Sequence, residues 1–442
     1  MTADAYHPLA QQLNQTLEKA SPEVFAMLSA LGKRLYFPKG ILAQGAEAKA
    51  KGKRFNATIG IATENDAPMF LPSIHQSISG LSVDEAYNYA PPSGRQKLRE
   101  IWREKNLAEN PSLKGKTFGL PIVTSAITHG LTLVGDLFVD PGDVMIAPDQ
   151  LWDNYSLTYE TRQGAKIETF PLFSGKGFNV EGFANALRTH GAKHGKLLVM
   201  LNFPNNPTGY MPTADEGKRI VAALHEQAKA GTRLVVLCDD AYFGLFYHLG
   251  GESLTESLFG QLCNLHPKLL PIKLDGATKE LFVWGLRCGF VTFGLGSTEN
   301  AQQVLEVLDA KARASIRSAI SNSPMISQSL VEKALASSEI ATERKQKLDV
   351  LRQRAEAVYK VSHEARFASS WDVYPFNSGY FMLIKVKGVD ANKLREHLLD
   401  KHGTGLICTS PTDLRVAFSC LDVTQVEPLF ETIHRAVQEL RG

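Results

Sequence analysis

Leu197-Leu198-Val199-Met200-Leu201-Asn202-Phe203-Pro204-Asn205-Asn206-Pro207-Thr208-Gly209 is the stretch on which the reading of this chain turns. Five unbroken apolar residues are too few for a helix and suit a strand covered on both faces, as in a parallel sheet. The asparagines, prolines and glycine that follow end the strand in a turn. In open parallel sheets, ligands bind at the carboxyl ends of the strands, so polar residues at such a place are the ones to inspect.

The same theme recurs outward from here. Apolar runs stand at 144–147, 166–172, 234–238 and 282–293, with helical stretches between several of them. Residues 127–138 place Ile127, Leu131, Val134 and Phe138 on one helical face, and Pro141-Gly142-Asp143 closes that segment. Apolar strands alternating with helices predict an α/β layer structure, a mostly parallel sheet between helices. Beyond about Asn300 long helical segments take over, and two more strands are expected at 379–386 and 413–420. The chain closes on an amphipathic stripe of Val426, Leu429, Phe430, Ile433, Val437 and Leu440. We expect a second, smaller α/β domain there. The expected division is 1–85 as an N-terminal arm and part of the small domain, 86–325 as the large domain, and 326–442 as the C-terminal small domain.

At 442 residues the chain has room for two or three domains. Its 48 basic and 46 acidic residues are interspersed, leaving a net charge of +2 and no like-charged block. Neither a nucleic-acid nor a membrane-surface partner is expected. Residues 1–18 are polar, without the apolar core of a signal peptide, and the apolar runs are too short to span a bilayer. The five cysteines (Cys238, Cys263, Cys288, Cys408 and Cys420) are scattered and form no CxxC pair. That pattern leads us to expect a reduced, cytoplasmic setting and no metal centre.

Chemistry-bearing residues cluster after the strand-like runs. Asp239-Asp240-Ala241-Tyr242 follows the run 234–238; alone, such an acid is commonly a helix cap. Asp275-Gly276-Ala277-Thr278-Lys279 leads, eight positions on, to Arg287 in Gly285-Leu286-Arg287-Cys288-Gly289. A single Lys or Arg is ordinarily solvated surface, yet these two flank Phe282, Val283, Trp284 and Phe290. That neighbourhood is too apolar for a solvated face.

Taken in order, these pieces resemble the aminotransferase class I/II family of fold-type-I pyridoxal-phosphate enzymes, nearest its aspartate and aromatic branch. The likeness runs from about Asn56 to Arg415. It implies a large domain with a mostly parallel seven-stranded sheet, a smaller α/β domain, pyridoxal 5'-phosphate as cofactor, and two-stage (ping-pong) transfer of an amino group between an amino acid and a 2-oxo acid. Lys279 corresponds to the family's Schiff-base lysine and proton shuttle; lysine suits the task because burial readily lowers its pKa. Asp239 corresponds to the aspartate facing the pyridine nitrogen. Asn206 and Tyr242 match the pair on the ring's phenolic oxygen, and Arg287 matches the arginine on the phosphate. Ser125, Ala126 and Ile127 resemble the phosphate cup at a helix N-terminus. Here the chain departs from the pattern: Ala126 stands where the family has glycine, and Gly276 where a serine is frequent, with Thr278 and Ser125 as substitutes. Trp152 falls where an aromatic stacks on the ring. Tyr89 matches a tyrosine that reaches the neighbouring subunit's phosphate, which implies a homodimer with shared sites. Gly60 lies in the early segment beside the substrate, and Arg415 corresponds to the arginine on the substrate's α-carboxylate. Arg317, four positions before Ser321-Asn322, matches an arginine that crosses to the partner's site for the distal carboxylate of aspartate or glutamate.

Two other functions share parts of this pattern. Pyridoxal-phosphate lyases and decarboxylases use the same fold, since fold does not fix reaction. A transcription regulator built on this fold needs a DNA-binding domain, and the residues before Asn56 are too few and insufficiently basic for one.

Overall fold

The computed structural model describes residues 6–37, 40–65 and 67–442. Seven strands form the central sheet: β1 (Ile122–Thr124), β2 (Val144–Pro148), β3 (Lys166–Phe170), β4 (Lys196–Asn202), β5 (Arg233–Asp239), β6 (Leu269–Gly276) and β7 (Gly289–Phe293). Their spatial order is β1-β7-β6-β5-β4-β2-β3, and β7 alone runs antiparallel to its neighbours. The expected mostly parallel seven-stranded sheet is therefore present.

Why the apolar runs are continuous is visible in the packing. Met145, Leu198, Met200, Val235 and Leu237 enter the core on one face of the sheet. Val144, Leu197, Val199, Leu234 and Val236 enter a second core on the opposite face. Both sets of an alternating strand are thus buried, which removes the polar half of the usual period-2 pattern. Helices cover the faces. Ala126–Phe138 buries Ile127, Leu131 and Val134, and Ala214–Lys229 starts on a capping box between Thr213 and Glu216.

Two expectations about strands need correction. The run 282–293 is a strand only over Gly289–Phe293; Trp284–Leu286 forms a short 3-10 turn, and Phe282 and Arg287 take left-handed backbone angles (φ 56° and 52°) that a strand cannot contain. Sequence reading also passed over β6, because Pro271 and Lys273 interrupt its apolar character. In the fold Lys273 is fully buried, its Nζ 2.6 Å from Asp240 and 2.9 Å from Asp275. An ion-paired lysine in a central strand is invisible to hydropathy.

The second sheet is antiparallel: β8 (Trp371–Val373), β9 (Phe381–Val386), β10 (Ile407–Ser410) and β11 (Asp413–Ala417), in the order β8-β9-β11-β10. β9 and β11 are the two strands expected from sequence, each shorter than the run that signalled it. The 19-residue helix Val423–Arg441 buries Val426, Leu429, Phe430, Ile433 and Val437. Near the N-terminus, Phe55–Asn56 pairs in parallel with Thr404–Gly405. The Ala417 amide donates to the Ala57 carbonyl, which ties the early segment beside the end of β11.

Candidate active site

The in-register parallel pairing of β4 with β5 sets Asn202 directly beside Asp239 at the carboxyl edge of the sheet. Asn202 Nδ2 donates to the Asp239 backbone carbonyl at 3.0 Å, and its Oδ1 accepts from the Asn206 amide at 2.9 Å. One side chain thereby ties the two strand ends to the turn that carries Asn206. Lys279 sits one turn beyond β6, on the short helix Ala277–Glu280. Arg415 arrives from β11 of the second sheet.

These elements enclose a cavity of about 200 Å³. Lys279, Asp239, Asn206, Tyr242, Thr278 and Arg287 line it from the large sheet's edge. Ala126 and Ile127 approach from the helix N-terminus, Trp152 from the loop after β2, and Gly60 and Arg415 from the remaining sides. Three expected residues are elsewhere. Ser125 is the residue before the helix, outside the cavity lining, and its amide donates to His129 Nδ1 at 3.1 Å. Tyr89 is 90% exposed, and Arg317 is an exposed residue of the helix Ala301–Ala319 that donates to Ser321 Oγ.

Sequence reasoning missed several wall residues, notably Tyr155, Asn202, Thr128 and Phe381. Tyr155 is 1% exposed and donates to Asp239 Oδ2 at 2.6 Å. Its only sequence signal was its place three residues after Trp152, just ahead of the π-helix Ser156–Gln163. Asn202 stood at the head of the quoted turn, where strand-end polarity alone pointed to it.

Electrostatics sort the groups. Burial lowers the Lys279 ammonium from 10.5 to about 8, against the pull of Asp239 and with help from Arg287. Lys279 is half-buried, its open part turned to the cavity, and its Nζ lies 4.8 Å from the centre of the Tyr242 ring. Burial also raises the Asp239 carboxyl, while the Tyr155 hydroxyl and the Lys279 charge work in the other direction. Arg415 is 2% exposed and lowered to about 10 by burial. Its Nη1 donates to Asn206 Oδ1 at 3.0 Å and its Nη2 to the Thr58 carbonyl at 2.9 Å. The guanidinium lies 4.1 Å from the centre of the Phe381 ring, and its buried Nε has no hydrogen-bond partner. A cation with an idle donor at a cavity wall is set to receive an anion.

The donor set fits pyridoxal phosphate. For the phosphate there are the first amides of the 13-residue helix Ala126–Phe138, which has no side-chain N-cap, together with the Arg287 guanidinium. Thr278 adds a buried hydroxyl without a partner. A lysine amine, a buried carboxylate and an aromatic wall complete the requirements of an aldehyde, a ring nitrogen and a ring face. The two departures from the family pattern have a common physical setting. Ala126 has a φ of 62°, the left-handed region in which glycine is at ease and alanine is strained. A Cβ on Gly276 would meet Gly289 Cα at 2.8 Å and the Cys288 carbonyl oxygen at 2.9 Å. A Cβ on Gly289 would meet the Ala126 backbone at 2.7 Å. β6, β7 and the helix entry are thus packed backbone to backbone, and a serine at 276 has no room.

Fold and site together define a fold-type-I scaffold of the kind that carries pyridoxal phosphate. The chain belongs to the aminotransferase class I and II family, whose model matches residues 70–433. It is 25% identical over 297 residues to the cytoplasmic aspartate aminotransferase of Saccharomyces cerevisiae, covering 63% of this chain. The chain spans 66% of that relative's length, just under two thirds. It is also 25% identical over 308 residues to LL-diaminopimelate aminotransferase 2 of Trichormus variabilis, covering 68% of this chain and 69% of the relative. Among solved structures, an aminotransferase from Anaerococcus prevotii superposes with a TM-score of 0.82 at 21% identity, over 93% of this chain and 99% of that one. Among the described residues no helix is long and apolar enough to cross a membrane.

Proposed function

We propose that this protein is a pyridoxal-phosphate-dependent aminotransferase that moves an amino group between a dicarboxylic amino acid, aspartate or glutamate, and a 2-oxo acid, with aromatic side chains also accepted. The observation that carries this reading is the meeting of Lys279, Asp239 and Arg415 on one cavity, three groups from three distant parts of the chain. When bound, the cofactor supplies an aldehyde and an electron-withdrawing ring for chemistry at the substrate's Cα. Lys279, with a pKa near 8, has a substantial neutral fraction at neutral to mildly alkaline pH. Its amine would be the base that takes the proton from the substrate's Cα and holds it for return. Asp239, held by the Tyr155 hydroxyl and the Ala241 amide, keeps a proton at the ring nitrogen. Asn206 and Tyr242 would serve the cofactor's phenolic oxygen, Trp152 would wall the ring, and Ala126, Ile127, Thr278 and Arg287 would hold the phosphate. Arg415, already forked between Asn206 and Thr58, orients the α-carboxylate beside Gly60.

Two further elements of the reading concern assembly and place. Tyr89 and Arg317 lie outside their own chain's cavity and are exposed, which suits residues given to a partner's site. Val83 and Tyr87, 74% and 83% exposed, add uncovered apolar surface beside Tyr89. These features support a homodimer with shared sites as the working form. All five cysteines are free, which suits the cytoplasm. The test is a half-reaction screen: the holoenzyme is mixed with single amino acids while the visible absorbance of the bound cofactor is followed. Aspartate or glutamate should discharge it stoichiometrically with release of the matching 2-oxo acid. Release of carbon dioxide instead would establish the decarboxylase alternative.

A further inference from the structure

His397 and His402 belong to the helix Ala391–His402, and Glu439 to the C-terminal helix Val423–Arg441 packed beside it. Nε2 of His397 lies 2.6 Å from Glu439 Oε2, and Nε2 of His402 lies 2.9 Å from the same oxygen. The two rings meet edge to face, with centroids 5.5 Å apart. Five residues on a regular helix turn about 140° away from one another, so they do not share a face. Here the helix ends at His402, with Gly403 in the left-handed conformation at φ 59°, and the carboxylate reaches in between the two rings. Side-chain exposures of 21%, 12% and 40% leave the cluster open to solvent on one side. Among the described residues no lysine or arginine pairs with Glu439.

We propose that His397, His402 and Glu439 form a binding site for a divalent transition-metal ion of the zinc class, separate from the cavity that holds Lys279. One donor atom from each residue already lies within 4.8 Å of the other two. Ligands sharing a tetrahedral ion at about 2.1 Å are about 3.4 Å apart. The two histidine nitrogens, at 2.6 and 2.9 Å from the carboxylate oxygen, therefore need to draw back from it by about 0.8 and 0.5 Å, within reach of three partly exposed side chains. Two imidazoles and one carboxylate favour Zn²⁺, Ni²⁺ or Cu²⁺ over Ca²⁺ and Mg²⁺, which prefer all-oxygen shells. Water completes the open positions. An ion here links the last turn of one small-domain helix to the last turn of the C-terminal helix, so it stabilises that domain without entering the chemistry. Sequence reading of the cysteines could not find it, because Glu439 stands 42 and 37 positions from the two histidines and no ligand is a cysteine.

The test uses untagged holoenzyme freed of metal with a chelator and titrated with ZnCl2 by calorimetry, and with CoCl2 followed by its visible spectrum. One Zn²⁺ per chain should bind, with melting temperature rising on saturation. His397→Ala, His402→Ala and Glu439→Gln should each weaken binding at least about tenfold. Because none of the three lines the catalytic cavity, the variants should keep wild-type amino-group transfer, which also reports that they fold. No binding by wild type up to about 100 µM Zn²⁺ would overturn the site. Equal affinity in wild type and all three variants would overturn it as well, by showing that the ion sits elsewhere.

Discussion

Replacing Lys279 with methionine should make the cofactor-free protein more stable, at the expense of all activity. The amine's pKa falls from 10.5 to about 8 because burial disfavours the charged form. At about 1.4 kcal/mol for each tenfold change in proton affinity, that gap is worth about 3 kcal/mol. Part of Lys279 faces the cavity, where water softens the burial, so between about 2 and 3 kcal/mol is the expected gain. The unfolded chain holds its proton up to pH 10.5, whereas the folded chain releases it near 8. Below pH 8 the full destabilisation is present in the wild type. Between 8 and 10.5 the unfolded state binds more protons, so wild-type stability climbs with pH and the advantage of Lys279→Met shrinks to nothing. Urea unfolding of both cofactor-free proteins at several pH values from 7 to 10.5 reads the difference directly. Equal stabilities at pH 7, or a gap that ignores pH, would refute the claim that Lys279 is held against its ionic preference.

Three further outcomes follow from the site. Ala126→Gly should relieve left-handed strain of about 1–2 kcal/mol, offset partly by glycine's extra freedom when unfolded, for a net gain of about 0.5–1 kcal/mol; equilibrium unfolding checks it, and a net loss would mean the Ala126 methyl is needed for packing. Tyr155→Phe removes a hydrogen bond to a buried carboxylate, worth about 1.5–3 kcal/mol, and should lower kcat between about tenfold and a hundredfold with little change in KM; unchanged kcat would make Tyr155 a packing residue only. On the proposed reading, in which Arg317 serves a partner's site, Arg317→Ala should cut kcat/KM for aspartate and glutamate by at least about thirtyfold, leaving alanine and phenylalanine nearly unaffected; equal losses on all substrates would indicate a structural arginine.

How far the sequence foretold these features depended on whether the relevant force is local. β4 and β5 were legible because burial on both faces leaves an unbroken apolar run, and Asp239 stood at the place where one of those runs stops; Asn202 stands at the end of the other, but nothing local gave it a role. β6 was not, since Lys273 satisfies its charge with Asp240 and Asp275, partners that only the tertiary fold supplies. Arg287 was picked out by its apolar neighbours, yet those same neighbours read falsely as strand, because a left-handed turn at Phe282 and Arg287 leaves no mark in hydropathy. Tyr155 escaped notice for the opposite reason: its role is a single hydrogen bond to a residue 84 positions away. The reason for Gly276 in place of serine lay in backbone contacts between β6, β7 and the helix entry, a distance that no pattern in one chain encodes.

The central claim is that Lys279 carries amino-group transfer at this cavity. It is tested most directly by incubating the holoenzyme with ¹⁵N-glutamate and oxaloacetate and measuring both products. The account predicts one 2-oxoglutarate for each ¹⁵N-aspartate formed, and none of either from Lys279→Ala. Loss of the label as ammonia, or transfer by Lys279→Ala at the wild-type rate, would contradict it.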